Sequence, residues 1–190
     1  MLKQLSDEQL MQHYGRGKVH AFELLYARHK DPLYRYFARQ CRHSMAAEEL
    51  CQEVWLGIIK ARQRYQVTAK FTTYLYTMAH NRLVDYYRKH HKDIPVSYQT
   101  DAEDPTQLIP TQCTDHPDYQ CDQTQQQQRL QDLIMALPEA QREVFLLKEE
   151  TGLALEHIAH MLGINQETTK SRLRYAMKKL RAGLRSHNEE

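Results

Sequence analysis

Leu155-Glu156-His157-Ile158-Ala159-His160-Met161-Leu162-Gly163-Ile164-Asn165-Gln166-Glu167-Thr168-Thr169-Lys170-Ser171-Arg172 is the stretch that decides how this chain is read. Ala159 is small where two helices must cross closely. Gly163 stands where the chain leaves the first helix, a position that often demands positive φ. Ile164 fills the corner, and Asn165 is placed to cap the second helix. This is helix-turn-helix logic, in which the second helix enters a major groove with its N-terminal residues on base edges. That helix is expected to run from about Gln166 to Leu184, with Thr169, Leu173, Ala176, Met177, Leu180 and Leu184 facing inward. Thr169 is the exception on that face, and its hydroxyl needs a backbone acceptor.

Lys170, Arg174, Lys178, Arg181 and Arg185 fall away from the apolar face, and Thr168, Ser171, Arg172 and Tyr175 are expected on the exposed side. From Thr168 to His187 there are seven bases and no acid. Bases near the helix start reach guanine edges or phosphates, and those farther along grip backbone. The plainer alternative is a solvated basic helix in an ordinary bundle, but the joint placement of Ala159, Gly163 and Asn165 argues for DNA.

Helical spacing extends to both flanks. A short helix is expected from Ser6 to Gly15. A longer one spans about His20 to Arg42, with Phe22, Leu25, Tyr26, Leu33 and Phe37 on one stripe and a break at Pro32. The next spans about Ala46 to Tyr65, started by Ser44 with Glu48 and Glu49 in its first turn, and buries Leu50, Val54, Ile58 and Ala61. Another spans about Thr72 to Lys89, burying Leu75, Met78, Ala79, Leu83 and Tyr86. The period resumes at Leu130, Leu133, Ile134 and Leu137, breaks at Pro138, and continues through Val144, Phe145 and Leu147. The expectation is an all-α fold of two small helical modules, residues 1–92 and 129–190, the second holding the helix-turn-helix.

Residues 93–128 separate them, with four of the six prolines, nine glutamines and no helical apolar period. This stretch reads as a flexible acidic linker, although Gln123–Gln128 equally well extends the next helix backward. The formal net charge of +2 conceals sorted blocks: +8 over residues 1–92 and −7 over residues 93–128. Opposed blocks of this kind suit two polyanion-binding surfaces joined by an acidic connector rather than a plain enzyme. The 190 residues hold no apolar run of membrane-spanning length, and the N-terminus has no signal-peptide stretch, so a cytoplasmic protein is expected. Four scattered cysteines do not make a disulfide framework. No phosphate loop, nucleophile motif or paired-histidine metal motif appears, so neither enzymatic activity nor a cofactor is expected.

In the first module, Arg62, Tyr65, Lys70, Phe71 and Tyr74 interleave bases with rings, a mixture suited to single-stranded nucleic acid: cations follow phosphates and rings stack on unpaired bases. Thr77, Asn81 and Arg88 share the face of the following helix opposite its buried stripe, where an Asn has the groups to hydrogen-bond an extruded base. For each ring taken alone, a core or boundary position is an equally good reading. Glu49, Gln52, Glu53 and Leu56 line a face of the preceding helix distinct from its buried stripe, a candidate protein-docking surface or simply solvated helix. Trp55, beside it, reads as a partly buried packing residue.

Three motifs in this order resemble bacterial RNA polymerase sigma factors, and the two-module arrangement resembles their extracytoplasmic-function (ECF) subgroup. Ala47-Glu48-Glu49-Leu50-Cys51-Gln52-Glu53-Val54-Trp55 is similar to the family's core-polymerase-binding helix. Phe71-Thr72-Thr73-Tyr74-Leu75-Tyr76-Thr77-Met78-Ala79-His80-Asn81-Arg82 is similar to its promoter-melting, −10-reading helix. Leu137-Pro138-Glu139-Ala140-Gln141-Arg142-Glu143-Val144-Phe145 with the helix-turn-helix is similar to its −35-reading module.

The resemblance covers roughly residues 18–92 and 130–185. It implies that Glu49, Leu50, Gln52, Glu53 and Leu56 meet core RNA polymerase, and that the Tyr65–Phe71 loop with Asn81 captures a flipped non-template base. It further implies that Thr168, Lys170, Ser171, Arg172, Arg174, Tyr175 and Lys178 read the −35 duplex. Tyr74 stands where the family often has Trp. The resemblance also implies that the polymerase does the chemistry, that the acidic linker threads its RNA-exit path, and that an anti-sigma factor holds the protein inactive. In that path a segment without bases would act as an RNA mimic, so reversing Asp101, Glu103 and Asp104 should weaken holoenzyme formation or alter abortive synthesis.

Two other functions fit parts of the pattern. A helix-turn-helix regulator acting without core polymerase would bind duplex alone, usually as a dimer on a palindrome. A metal- or redox-sensing DNA-binding protein is suggested by eleven histidines and by Cys113-x2-His116-x4-Cys121. A structural zinc site, however, needs four well-placed ligands, and no metal site is expected.

Overall fold

The computed structural model of the chain describes residues 2–41, 43–90 and 122–185, and every regular element among them is helical. After a turn of 3-10 helix at Leu2–Gln4 come α1 (Asp7–Gly15), α2 (Val19–Ala38), α3 (Ser44–Ala61), α4 (Phe71–His90), α5 (Asp122–Met135), α6 (Glu139–Thr151), α7 (Leu155–Leu162) and α8 (Gln166–Arg185). The first four pack as one bundle and the last four as another, as the periodicity requires.

Local chemistry sets several boundaries. Ser6 caps α1 in a capping box: its Oγ accepts from the Gln9 N–H at 3.3 Å, and the Gln9 side chain accepts from the Ser6 N–H at 3.0 Å. Pro138 opens α6, where its missing N–H costs nothing. Within the first bundle, Leu10, Met11, Leu25, Leu33, Phe37, Ile58, Phe71, Leu75 and Leu83 are fully buried. Each large apolar side chain so buried contributes roughly 1.5–3 kcal/mol.

Four expectations need correction. Pro32 does not break α2, which runs through it, because Leu25, Leu33 and Phe37 hold one continuous stripe against the core across that turn. The third helix ends at Ala61, four residues before Tyr65, and Arg62–Arg64 form a turn that leads into the loop before α4. α3 starts at Ser44 as expected, but that start puts Glu48 and Glu49 beyond the first turn, which holds no acid; His43 holds the cap position without a side-chain bond. Near the end of α4 the buried ring is Tyr87, 5 % exposed, while Tyr86 is only half-buried. The glutamine run belongs to α5, the second of its two readings. Residues 93–121, with Asp101, Glu103, Asp104, Cys113, His116 and Cys121, lie outside the described residues.

Candidate nucleic-acid interface

The helix-turn-helix is built as the motif requires. Gly163 takes φ +66°, which ends α7 in the left-handed region. Asn165 Oδ1 then accepts the Thr168 N–H at 2.6 Å, capping α8. Thr169 is fully buried, and its hydroxyl donates to the Asn165 carbonyl at 3.0 Å, which answers the need for a backbone acceptor. With the turn fixed, α8 presents Lys170, Arg174, Tyr175 and Lys178 to solvent, while Thr168, Ser171 and Arg172 are half-buried along its start. Lys170 Nζ rests 2.8 Å from Glu167 in an exposed pair, one that salt screens and a phosphate can displace. The Arg174 guanidinium lies over the Tyr175 ring, 5.4 Å from its centroid.

In the first bundle the loop between α3 and α4 is tied from below. Glu8 accepts the Phe71 N–H at 2.8 Å and so caps α4 from α1. Gly15 brings α1 against the same loop: a Cβ there would stand 2.6 Å from the Arg62 carbonyl oxygen. Arg62 is half-buried, its guanidinium 5.7 Å from the Tyr14 ring centroid. Tyr65 meets Tyr74 edge-on at 5.3 Å and Phe71 at 6.4 Å. Burial raises the Tyr65 phenol to about 12 and also lifts Tyr74 above its ordinary value. Lys70, Asn81 and Arg88 are exposed, and Thr77 is half-buried with its hydroxyl donating to the Thr73 carbonyl at 2.7 Å.

Phe71 corrects the sequence reading: it is fully buried, packed near His29 at 5.3 Å, and offers no face to a base. Its role is to anchor the start of α4 beneath the loop. Tyr65 and Tyr74 remain half-buried and Lys70 exposed, so the loop keeps rings and a cation at its surface.

On α3, Glu49, Gln52 and Leu56 are exposed, Leu56 by 52 %, and Glu53 is half-exposed, 3.6 Å from Arg82 of α4. Leu50, only 5 % exposed, lies on the core stripe with Val54 and Ile58 where its spacing placed it, so its side chain is not at the surface for the partner contact that the resemblance implies. Beside the exposed face runs an open groove of about 490 Å³ lined by Tyr26, Tyr34, Gln52, Trp55, Leu56 and Ile59, among others. Trp55 is buried at its base and meets Tyr26 and Phe22 edge-on at 5.0 and 5.8 Å. The sequence placed Tyr26 on the buried stripe, but it is 43 % exposed at this groove.

The sequence reading missed the buried polar residues of α6. From Gln141 to Leu147 every residue is buried, so this helix is covered on both sides, by its own bundle and by the first. Among the described residues no group of three His, Cys, Asp or Glu is arranged to hold a metal. The described thiols are also poor redox sensors: burial raises Cys41 to about 11 and Cys51 to about 12, so neither supplies thiolate at neutral pH.

A helix-turn-helix with a basic second helix, beside a helical bundle carrying a ring-and-cation loop, is the architecture of a two-part DNA-binding protein. The family profile of Sigma-70 region 2 matches residues 25–93, and that of Sigma-70 region 4 matches residues 133–182. RNA polymerase sigma factor CarQ of Myxococcus xanthus is 30 % identical over 172 residues, 90 % of this chain and 93 % of that protein. ECF RNA polymerase sigma factor SigW of Bacillus subtilis (strain 168) is 26 % identical over 172 residues, 90 % of this chain and 92 % of that protein. The chain belongs to the RNA polymerase sigma factors, in their ECF subfamily. Solved structures share the fold. CnrH, in complex with the cytosolic domain of CnrY, superposes with a TM-score of 0.67 at 19 % identity, covering 95 % of this chain and 98 % of that one. Sigma factor RpoE of Bartonella quintana, in complex with the anti-sigma factor NepR, gives 0.63 at 19 % identity, covering 87 % and 98 %.

Proposed function

We propose that this ECF sigma factor joins core RNA polymerase through the exposed face of α3, Glu49, Gln52, Glu53 and Leu56. Leu50 supports that face from the core. The loop before α4, with Arg62, Tyr65, Lys70 and Tyr74, and the α4 face of Thr77, Asn81 and Arg88, captures the melted −10 strand. The start of α8, Thr168, Lys170, Ser171, Arg172, Arg174, Tyr175 and Lys178, reads the −35 duplex. The working units are residues 1–92 and the C-terminal bundle, which begins with α5 at Asp122 and not at residue 129, with the acidic segment between them. The protein acts in the cytoplasm and makes or breaks no bond itself. The observation that carries the reading is the α3 face, with acids, a glutamine and an exposed leucine bordering a groove based on Trp55. A regulator working without polymerase has no use for such a face. Because two fold relatives were solved with anti-sigma partners, a partner of that kind is the proposed occupant of the groove when the protein is held inactive.

Reconstituted transcription tests this. Purified protein and core polymerase on a promoter-selected library should give start sites that neither gives alone. Gln52→Ala with Glu53→Ala should lower affinity for core, whereas Arg172→Ala should spare core affinity and impair promoter choice. Start sites that ignore the added protein would refute the reading.

A further inference from the structure

A strong positive patch without an assigned role lies where the turn between α1 and α2 touches the loop before α4. Residues 9–22 and 57–70 together hold six Lys/Arg and no Asp or Glu. Gly15 packs on the Arg62 carbonyl and the Arg62 guanidinium lies over the Tyr14 ring, so the two segments stand side by side. Arg16 and Lys18 are exposed on the turn, and Lys60, Arg64 and Lys70 are exposed on the other segment. Backbone bonds stiffen the turn: the Gly17 N–H donates to the Tyr14 carbonyl at 2.9 Å, and the Lys18 N–H to the His13 carbonyl at 3.1 Å. The acids nearest in sequence are already engaged. Asp7 holds Arg28 and His29, each at 2.7 Å, Glu8 caps Phe71, and Glu23 lies 2.7 Å from His20. Among the described residues, no side chain pairs with those of Arg16, Lys18, Lys60, Arg64 or Lys70. Like charges crowded together repel one another, and a polyanion laid across them removes that cost.

The side chains around each cation say what kind of contact it makes. At Tyr65 and Tyr74 half-buried rings accompany the bases, as stacking on unpaired nucleotides needs. The turn from Gly15 to Val19 carries no ring, and Tyr14 beside it is buried against Phe22 at 4.9 Å. Cations without rings grip phosphates and leave the bases unread. The patch is continuous with the loop at which the strand is already unpaired, so the anion within its reach is the backbone of that same strand. We propose that Arg16 and Lys18, with Lys60 and Arg64, form a phosphate track that holds the single strand beyond the bases captured at the loop. Its contacts are independent of base identity. That the strand is promoter DNA rests on the sigma-factor reading above.

The test is the double variant Arg16→Gln/Lys18→Gln in the full chain, assembled with core polymerase. Both side chains are exposed, so the fold should persist, and circular dichroism checks that it does. The probes are a single strand spanning the −10 element alone and the same strand extended by about five nucleotides at its 5′ or its 3′ end. For the parent, one of the two extensions should tighten binding. The double variant should bind the short strand within about twofold of the parent and lose the gain from the extension. On the extended strand, losing two phosphate contacts should lower the salt slope by about 1.4, so that between 50 and 200 mM salt the parent loses about sevenfold more affinity than the variant. Changing the bases of the extension should alter neither result. Extensions that tighten nothing, or a variant that keeps the whole gain, overturn the track. A variant weakened equally on the short strand places these cations at the −10 bases and overturns the path beyond the loop. An equal loss on a fully paired duplex overturns the single-strand occupant. A parent holoenzyme that ignores even the short strand overturns the sigma reading, and the track with it.

Discussion

Phe71 and Lys70 are neighbours in sequence with opposite tasks, and separating them tests the assignment of the −10 loop. Phe71 is fully buried, so Phe71→Ala removes a ring from a packed core and should cost about 3–5 kcal/mol. At about 4–8 °C of melting temperature per kcal/mol for a domain of this size, the N-terminal bundle should lose at least roughly 12 °C. Lys70 is exposed, and Lys70→Ala should change stability by less than about 0.5 kcal/mol. Its effect should appear in the salt dependence of binding a −10 single strand to holoenzyme, where losing one phosphate contact lowers the slope by about 0.7. Thermal unfolding by circular dichroism measures the first quantity, and a salt titration of strand affinity measures the second. Because Phe71→Ala risks unfolding the bundle, Phe71→Leu is the decisive companion. It keeps an apolar anchor and should keep strand affinity within twofold of the parent. A folded Phe71→Leu protein that loses about 1–3 kcal/mol of strand affinity, the size of one stacked base, would show that Phe71 reaches DNA and that the buried assignment is wrong.

Two further outcomes follow from the caps and from the contact between the bundles. Asn165→Ala removes the acceptor of the Thr168 N–H and should destabilise the C-terminal bundle by about 1 kcal/mol, with weaker −35 duplex binding and unchanged core affinity; denaturant unfolding and duplex titration read the two effects. For His80, burial alone would lower the pKa, but the charge and hydrogen bond of Glu143 outweigh it, so the imidazole stands above its ordinary value in the folded protein. The fold is thus fully supported by this pair below about pH 6.5 and loses that support as pH rises through the raised value. The Tyr36 hydroxyl of α2 faces the pair, with Arg35, Arg39 and Glu150 farther along the contact between the bundles. Thermal stability should fall as pH rises over that range, and His80→Gln should flatten the trend.

What the sequence made legible follows from which forces are local. The turn at Gly163, the Asn165 cap and the inward Thr169 hydroxyl all depend on residues within four positions of each other, and each stands in the structure as its residue type requires. Pro32 was misread because a local rule, the missing N–H, met a non-local one: the stripe of Leu25, Leu33 and Phe37 against the core outweighs one lost helical bond. Phe71 and Leu50 were misplaced for a related reason. A motif says which residues accompany an activity, but it does not distinguish a side chain that touches the partner from one that holds the touching residues in place.

The polar residues of α6 were illegible on different grounds. Gln141, Arg142 and Glu143 look like the wet face of an amphipathic helix, and within their own bundle they would be one. Their burial comes from a second bundle more than fifty residues away in sequence, whose His80, Gln40 and Tyr87 supply partners that no periodicity predicts. A permanent interface would more economically be apolar, since a buried ion pair seldom outperforms well-packed hydrophobic residues of the same volume. Polar residues where the two bundles meet therefore argue for a contact that fixes one specific fit, since each partner must be matched at once.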